Sequence, residues 1–274
     1  MLRKLLKHDM RSMWHSAMPM ITVSGILSVI CCGILYFSMS YLDGGAETDF
    51  LAVAMLVGIF YFTGIMAIIA LQSVITVITI VRYYKSIFTD EGYLTMVLPV
   101  ENKTLIHEKI LFTLVWFAIS GVVTILEIMV AVFLPIILYE PALLDGLLEF
   151  VNMIKGFFFE EGYGVAISVL QTIDALIYFV EGVMLTLAAI TVGAMVMKKK
   201  KIFGAFLFYF ITIYLRENVV LVFELLLDII MISATDTSLG TLLSIIFSIL
   251  ISSGIVVAAY LVMKHIFTKK FNIE

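Results

Sequence analysis

Long apolar runs without a single charged residue restrict the folds that this sequence can adopt. The longest, 50–81, contains 32 residues and no Asp, Glu, Lys or Arg. A helix needs about 20 apolar residues to cross about 30 Å of hydrocarbon. The other runs of membrane type are 20–42, 110–138, 163–197, 202–215 and 238–263; of these, 110–138 contains one acid and 163–197 contains two. Because the runs are continuous rather than alternating, they favour six helical spans over a β-barrel.

Composition agrees with this class of protein. The chain is 62% hydrophobic and 14% charged, whereas soluble domains are about 25% charged. We therefore expect an all-α integral membrane protein that forms one transmembrane domain over residues 1–274. We then expect membrane lipid to surround the protein, and we expect no nucleic-acid partner.

The basic residues are distributed unevenly between the two sides of the six-span arrangement. Of the 17 lysines and arginines, 15 lie before the first span, in 82–109, in 198–201 or after the sixth span. Loops on the opposite side carry acids and a single lysine, Lys155. Basic loops stay in the cytoplasm, so the sequence predicts a plasma-membrane protein with both termini cytoplasmic.

Two segments outside the spans show helical spacing of apolar residues. Residues 1–16 combine such spacing with four basic residues and predict an interfacial helix; simple basic flanking of the first span is the alternative. Residues 141–162 predict an external amphipathic segment. This second segment is compatible with two roles: a structural cap, or a lid over the exit of a transport path.

The fifth apolar segment is too short for a regular span. From Lys201 to Arg216 a helix rises about 22 Å, less than the hydrocarbon width. Arg216 and Glu217 interrupt it, and a mostly apolar stretch that contains Glu224 and Asp228 then continues to Ser233. Two structures fit: a re-entrant element between helices five and six, which we take as the prediction, or one long helix that contains the charges.

Ionisable residues within apolar segments are costly and are candidates for function. Asp174 and Glu181 are seven apart and Glu224 and Asp228 four apart, so each pair shares a helix face. The alternative is that these charges pair with one another or reach the outer interface. The candidates for a translocation path are Glu127, Asp174, Glu181, Arg216, Glu217, Glu224 and Asp228.

Motifs for catalysis are missing from the sequence. His107 and Glu108 begin a HExxH pattern, but position 111 is Leu, so a second zinc ligand is absent. No Gly-Lys dipeptide occurs, which excludes a GxxxxGK phosphate-binding loop. Cys31 and Cys32 have no metal-site or disulfide spacing and are interpreted as packing residues. We predict no catalytic residues, no bound metal and no cofactor on this chain, and therefore no enzyme.

The polar segment 82–109 predicts a compact cytoplasmic element. Thr89 has the character of an N-cap, and Phe88 and Tyr93 have the spacing of a hydrophobic staple. Pro99 ends the predicted short helix near Leu98. A second helix is predicted to run from about Asn102 into the third span. A short capped helix next to the membrane offers a docking surface to a cytoplasmic partner.

This segment also resembles a known family. The run FTDEGYLTMVLPV from Phe88 to Val100 resembles the first cytoplasmic loop of type-2 ABC-exporter permeases of Gram-positive bacteria. That resemblance implies a coupling helix seated on a separate ABC ATP-binding subunit, which carries the ATP and Mg. It also implies a second permease copy or a paralogue, and a re-entrant element after the fifth span. The expected ATPase-coupling residues are Phe88, Asp90, Glu91 and Tyr93.

Within the family, the chain resembles the phenol-soluble-modulin peptide exporters of staphylococci, which implies export of an amphipathic peptide or another hydrophobic substrate. Two other classes stay open. An ion-coupled carrier would use Glu127, Asp174 and Glu181 as a proton relay. A sensor or scaffold would transport nothing. An adjacent gene for an ATP-binding-cassette subunit would favour the exporter.

Overall fold

The computed structural model describes residues 2–43, 50–89, 102–140, 148–149, 163–196, 201–231 and 237–271. Six long α-helices account for nearly all of these residues. They are α1 (Leu2–Asp43), α2 (Phe50–Phe88), α3 (Asn102–Tyr139), α4 (Tyr163–Val196), α5 (Lys201–Met231) and α6 (Thr237–Phe271). Each is long and apolar enough to cross a membrane. The prediction of an all-helical chain with six candidate spans is confirmed.

The helices are longer than a bilayer requires. Their 31 to 42 residues correspond to about 46 to 63 Å at 1.5 Å per residue. Since the hydrocarbon core is about 30 Å thick, every helix is long enough to tilt or to extend beyond it. The start of α3 at Asn102 confirms the predicted beginning of the helix that leads into the third span.

The first helix is continuous from Leu2 to Asp43, with Pro19 inside it. Residues 1–16 were predicted as an interfacial helix separate from the first span. Among the described residues, the backbone shows no break that separates them from it, so the interfacial helix is not confirmed and stays a prediction.

The fifth helix is also continuous. α5 runs from Lys201 through Arg216 and Glu217 to Met231, which corresponds to the single long helix of the two alternatives. The helix need not break at Arg216, because neighbouring helices supply partners for its charge. The predicted re-entrant element between α5 and α6 is not confirmed, and residues 232–236 lie outside the described residues.

Two compact units divide the chain. In the first, which includes 82–114 and 154–274, α4 packs against α6 and α5, and α5 packs against α6. The end of α2 joins this unit through the hydroxyl of Tyr83, which is 2.8 Å from that of Thr191 on α4. The second unit contains 3–81 and 115–153, and therefore α1 and most of α2 and α3.

A small apolar cluster holds the second unit together. Cys31, Ile68 and Ala131 are buried against one another, and Tyr61 donates a hydrogen bond to the carbonyl of Ala131 at 3.1 Å. A Cβ added to Gly64 would overlap the sulfur of Cys31. Both cysteines are buried and free, which agrees with their interpretation as packing residues.

Two predicted elements fall where the structure gives little description. The short helix from Asp90 to Leu98 lies outside the described residues. So does the external segment 141–162, apart from 148–149. Both therefore stay predictions.

Candidate functional site

A cavity of about 530 Å³ lies among α4, α5 and α6. Part of its wall is apolar and comes from Ala175, Val220, Leu221 and Ile245. The polar part is formed by Asp174, Tyr178, Arg216, Glu217, Asn218, Glu224, Ser244 and Ser248. The volume falls within the range of about 300 to 1,000 Å³ that is common for ligand pockets.

Arg216 is the centre of the polar contacts around this cavity. Its Nη1 donates to Oε1 of Glu217 at 2.8 Å, and its Nη2 lies 3.3 Å from the hydroxyls of both Ser248 and Ser252 on α6. The guanidinium carbon lies 4.7 Å from the centroid of the Tyr178 ring on α4, within reach of a cation–π interaction. One arginine thus connects α5 to both neighbouring helices.

Arg216 and Glu181 form the most buried of these ion pairs. Nε of Arg216 lies 3.8 Å from Oε1 of Glu181, and their side chains are 9% and 5% exposed. At that distance the contact is an ion pair rather than a hydrogen bond, and Nε indeed has no hydrogen-bond partner. Charge attraction without a hydrogen bond leaves part of the desolvation cost of both groups uncompensated.

Two carboxylate oxygens in this region are buried and lack a hydrogen-bond donor. They are Oδ1 of Asp174 and Oε2 of Glu181. Leaving a buried polar atom without a partner costs about 1 to 3 kcal/mol, and more for a charged group. Asp174 lines the cavity, so this cost marks its carboxylate as a candidate for contact with a ligand.

The structure brings together five of the seven candidate path residues. Asp174, Arg216, Glu217 and Glu224 line the cavity, and Glu181 contacts Arg216. Asp174 lines the cavity that α5 also lines, and Glu181 contacts Arg216 on α5, so the prediction that they share one face of α4 remains compatible with the structure. The side chain of Asp228 is outside the described residues.

Glu127 belongs to a different site, in the second unit. Its Oε1 accepts a hydrogen bond from Ser24 on α1 at 2.6 Å, and its Oε2 accepts one from Gln72 on α2 at 3.0 Å. The amide nitrogen of Gln72 also donates to Ser24 at 3.0 Å, and Ser120 on α3 donates to the backbone carbonyl of Gln72 at 3.2 Å. All four side chains are buried, so this is a polar clamp among three helices.

Only Phe88 of the four predicted coupling residues is described. Its ring stacks on that of Tyr84, with centroids 5.8 Å apart. The hydroxyl of Thr89 donates to the carbonyl of Lys85 at 2.6 Å. Asp90, Glu91 and Tyr93 lie outside the described residues.

Sequence reasoning missed the neutral partners of these charges. Ser24 and Gln72 were overlooked because they interrupt no apolar run. Ser248 and Ser252, the partners of Arg216, and Ser244, which lines the cavity, were not predicted either, although their spacing of four places them on one face of α6. A search for uncharged polar residues at helical spacing within the spans would have found all five.

Comparison with known proteins adds no relative: no family model, curated protein or solved structure matches this chain.

Proposed function

We propose that this chain is the membrane-spanning permease subunit of an ATP-driven exporter of the ABC type. The observation that carries the proposal is the charged cavity among α4, α5 and α6, within a chain of six apolar helices. Charge inside an apolar helix group is expensive to maintain. A transporter can use such a charged cavity to bind its cargo, whereas a scaffold that only anchors a partner does not need one.

The energy source in this proposal is a separate ATP-binding subunit with its own ATP and Mg. The sequence has no GxxxxGK loop, so hydrolysis by that route belongs to another chain. The run from Phe88 to Val100 begins at the last residue of α2 and ends before the start of α3. A subunit that docks there acts directly on two long helices.

The finer topology belongs to the same proposal. Both termini lie in the cytoplasm, because the basic residues cluster in the segments on that side. Residues 1–16, at the start of α1, rest in the inner interface of the plasma membrane. The re-entrant element predicted between helices five and six is part of the same proposal and lies on the outer side.

A second copy of the chain, or a paralogue, completes the transporter. The carboxylate of Glu217 is 51% exposed, and Glu224 is also exposed, although both lie within α5. Placing a charged side chain against lipid costs about 2.5 to 3.5 kcal/mol at the centre of a span. A partner permease that faces α5 across a wet cavity removes that cost.

The cargo in this proposal is amphipathic. The cavity wall joins apolar side chains such as Val220, Leu221 and Ile245 to the charges of Asp174 and Arg216. An amphipathic peptide meets both kinds of surface, and a purely apolar molecule would leave the charges uncovered.

The test is ATP-dependent export by the purified complex in liposomes. The chain, expressed with an adjacently encoded ABC ATPase, should copurify with it and export an amphipathic peptide only when ATP and Mg are supplied. A proton gradient that drives transport without nucleotide would instead identify an ion-coupled carrier. No transport under either condition, with a stable complex, would favour a sensor or scaffold.

A further inference from the structure

The cavity among α4, α5 and α6 contains more acid than base. Its wall includes the carboxylates of Asp174, Glu217 and Glu224 and a single guanidinium, that of Arg216. Arg216 is already neutralised, because Glu217 binds it at 2.8 Å and Glu181 lies 3.8 Å away. Within the described part of the chain, no basic side chain forms an ion pair with Asp174 or Glu224. The cavity thus has an excess of negative charge.

An unpartnered oxygen in the wall indicates where a ligand would bind. Oδ1 of Asp174 is buried and receives no hydrogen bond, and the same is true of Oε2 on Glu181, a residue that is 4% exposed. Asp174 as a whole is half-buried, but a carboxylate oxygen shielded from water favours a donor or a cation. Asp174 lines the cavity, so one ligand group there can supply the partner that its Oδ1 lacks.

Arg216 offers little to an anion. Its guanidinium is occupied by Glu217, by the hydroxyls of Ser248 and Ser252, and by the ring of Tyr178. The one nitrogen without a hydrogen bond, Nε, faces Glu181. An anionic ligand would therefore have to displace existing partners and would also meet the surrounding carboxylates.

We infer that this cavity binds a positively charged nitrogen group carried on an apolar chain, either a primary ammonium or a guanidinium. Asp174 is its main ion partner, and exposed Glu224 is the second. The apolar side chains of Val220, Leu221 and Ile245 receive the attached chain. The binding of a cationic group by this cavity does not depend on the proposed export function. The further conclusion that the exported cargo is cationic does rest on that function.

The test uses two small probes with the same alkyl chain and opposite charge, hexylammonium and hexanesulfonate. Each is titrated calorimetrically into the full chain in lipid nanodiscs, with empty nanodiscs as the baseline and without any ATPase. The variants are Asp174→Asn and Glu224→Gln. Glu140→Gln is the matched control, because Glu140 is exposed at the end of α3 and does not line the cavity.

The parent chain should bind hexylammonium saturably and hexanesulfonate not at all. Asp174→Asn should weaken hexylammonium binding by at least about tenfold, as expected for loss of a charged hydrogen-bond partner, and Glu140→Gln should leave it unchanged. Equal binding of the two probes, no saturable binding, or parent-like binding by Asp174→Asn would overturn the inference.

Should Asp174→Asn fail to assemble, Glu224→Gln decides the question. Weakening of about threefold supports the site, since an exposed charge contributes less than a buried one, and unchanged binding overturns it. Because no ATPase takes part, a negative result here leaves the exporter proposal to its own transport test. Likewise, saturable binding of hexylammonium would remain valid evidence for the cation site even if the transport test contradicted the exporter proposal.

Discussion

The guanidinium of Arg216 on α5 lies 3.8 Å from the carboxylate of Glu181 on α4, and the two residues depend on each other unequally. Arg216 has further partners in Glu217, Ser248 and Ser252. For Glu181, Arg216 is the one ion partner found among the described residues. Removing the arginine therefore leaves a buried carboxylate uncompensated, whereas removing the carboxylate leaves an arginine that is still bound.

The first prediction follows from this asymmetry. Arg216→Gln should lower the free energy of unfolding by about 3 kcal/mol, the cost of an uncompensated buried charge, and Glu181→Gln by about 1 kcal/mol. Thermal unfolding in detergent, followed by intrinsic fluorescence, would measure both. The double variant should lose less than the sum, because neither charge is then left alone. Equal losses in the two single variants would contradict the asymmetry.

The second prediction concerns the polar clamp around Glu127. In Glu127→Gln the new amide can donate to Ser24 and its oxygen can accept from Gln72, while the Ser24 hydroxyl turns to the carbonyl of Ile21, 3.1 Å away. Every group stays satisfied, so stability should change by less than about 1 kcal/mol. Glu127→Leu removes the acceptor of one N–H of Gln72, while Ser24 still accepts the other, and the unsatisfied N–H should cost about 1 to 3 kcal/mol.

Unfolding by SDS titration in mixed micelles would compare the two Glu127 variants directly. A Gln variant as unstable as the Leu variant would show that the negative charge, rather than the hydrogen bonds, holds the clamp. Transport by Glu127→Gln at the parent rate would also place Glu127 outside the cargo path.

The third prediction tests the close approach of α2 to α1. A methyl group at Gly64 would overlap the sulfur of buried Cys31, so Gly64→Ala should destabilise the chain by about 1 to 3 kcal/mol, as overpacked cores do. The double change Gly64→Ala with Cys31→Ala should recover most of that loss. Gly58→Ala is the matched control on the same helix, since its Cβ would meet no atom within 4 Å. Thermal unfolding of the parent, Gly64→Ala, Cys31→Ala and the double variant forms a double-mutant cycle, and additive losses of stability would contradict the contact.

The sequence predicted the six long helices, but it did not predict which side chains from other helices contact the charges within them. Continuous uncharged runs such as 50–81 predict helical spans, because a helix satisfies its own backbone hydrogen bonds in hydrocarbon and a barrel strand would show alternation instead. The position of Asn102 also predicted where α3 begins. The interruption at Arg216 suggested a broken helix, yet α5 is continuous, because Glu181, Ser248 and Ser252 from other helices compensate the charge. Such compensation depends on packing between distant segments, which periodicity does not encode.

Glu127 illustrates the same limit. The sequence grouped it with Asp174 and Glu181, since all three are acids within spans. Their environments differ: Glu127 is held by Ser24 and Gln72, whereas Asp174 lines a cavity. A charge within a span therefore identifies a candidate functional residue, but its role depends on the side chains from other helices that contact it.

The fourth prediction concerns topology. The uneven distribution of lysine and arginine predicts that 141–162 lies outside the cell and 198–201 inside. In a background without Cys31 and Cys32, single cysteines at Asp145 and Lys199 should react with an impermeant maleimide from opposite sides of the membrane. Labelling of both positions in intact cells would rule out the six-span topology with cytoplasmic termini.

The last prediction concerns the proposed coupling segment between α2 and α3. Force from a cytoplasmic ATPase has to reach these two helices through a rigid contact, and the run from Phe88 to Val100 connects them. Aromatic anchors commonly contribute about 2 kcal/mol or more to an interface, so Tyr93→Ala should weaken copurification of the ATPase by at least about tenfold. Glu91→Lys should uncouple hydrolysis from export by reversing a charge that meets the partner.

Glu91→Gln separates the two roles that this acid can have. If it only complements the dipole of a short helix, its neutralisation costs a few tenths of a kcal/mol and should be almost silent in export. Glu91→Gln that impairs export nearly as much as Glu91→Lys would instead identify a direct contact with the ATPase. Lys85→Gln is a suitable control, since Lys85 is an exposed residue of α2 before the run. Full ATPase association and cargo-stimulated hydrolysis in both Tyr93→Ala and Glu91→Lys, measured in nanodiscs, would move the coupling contact elsewhere on the chain.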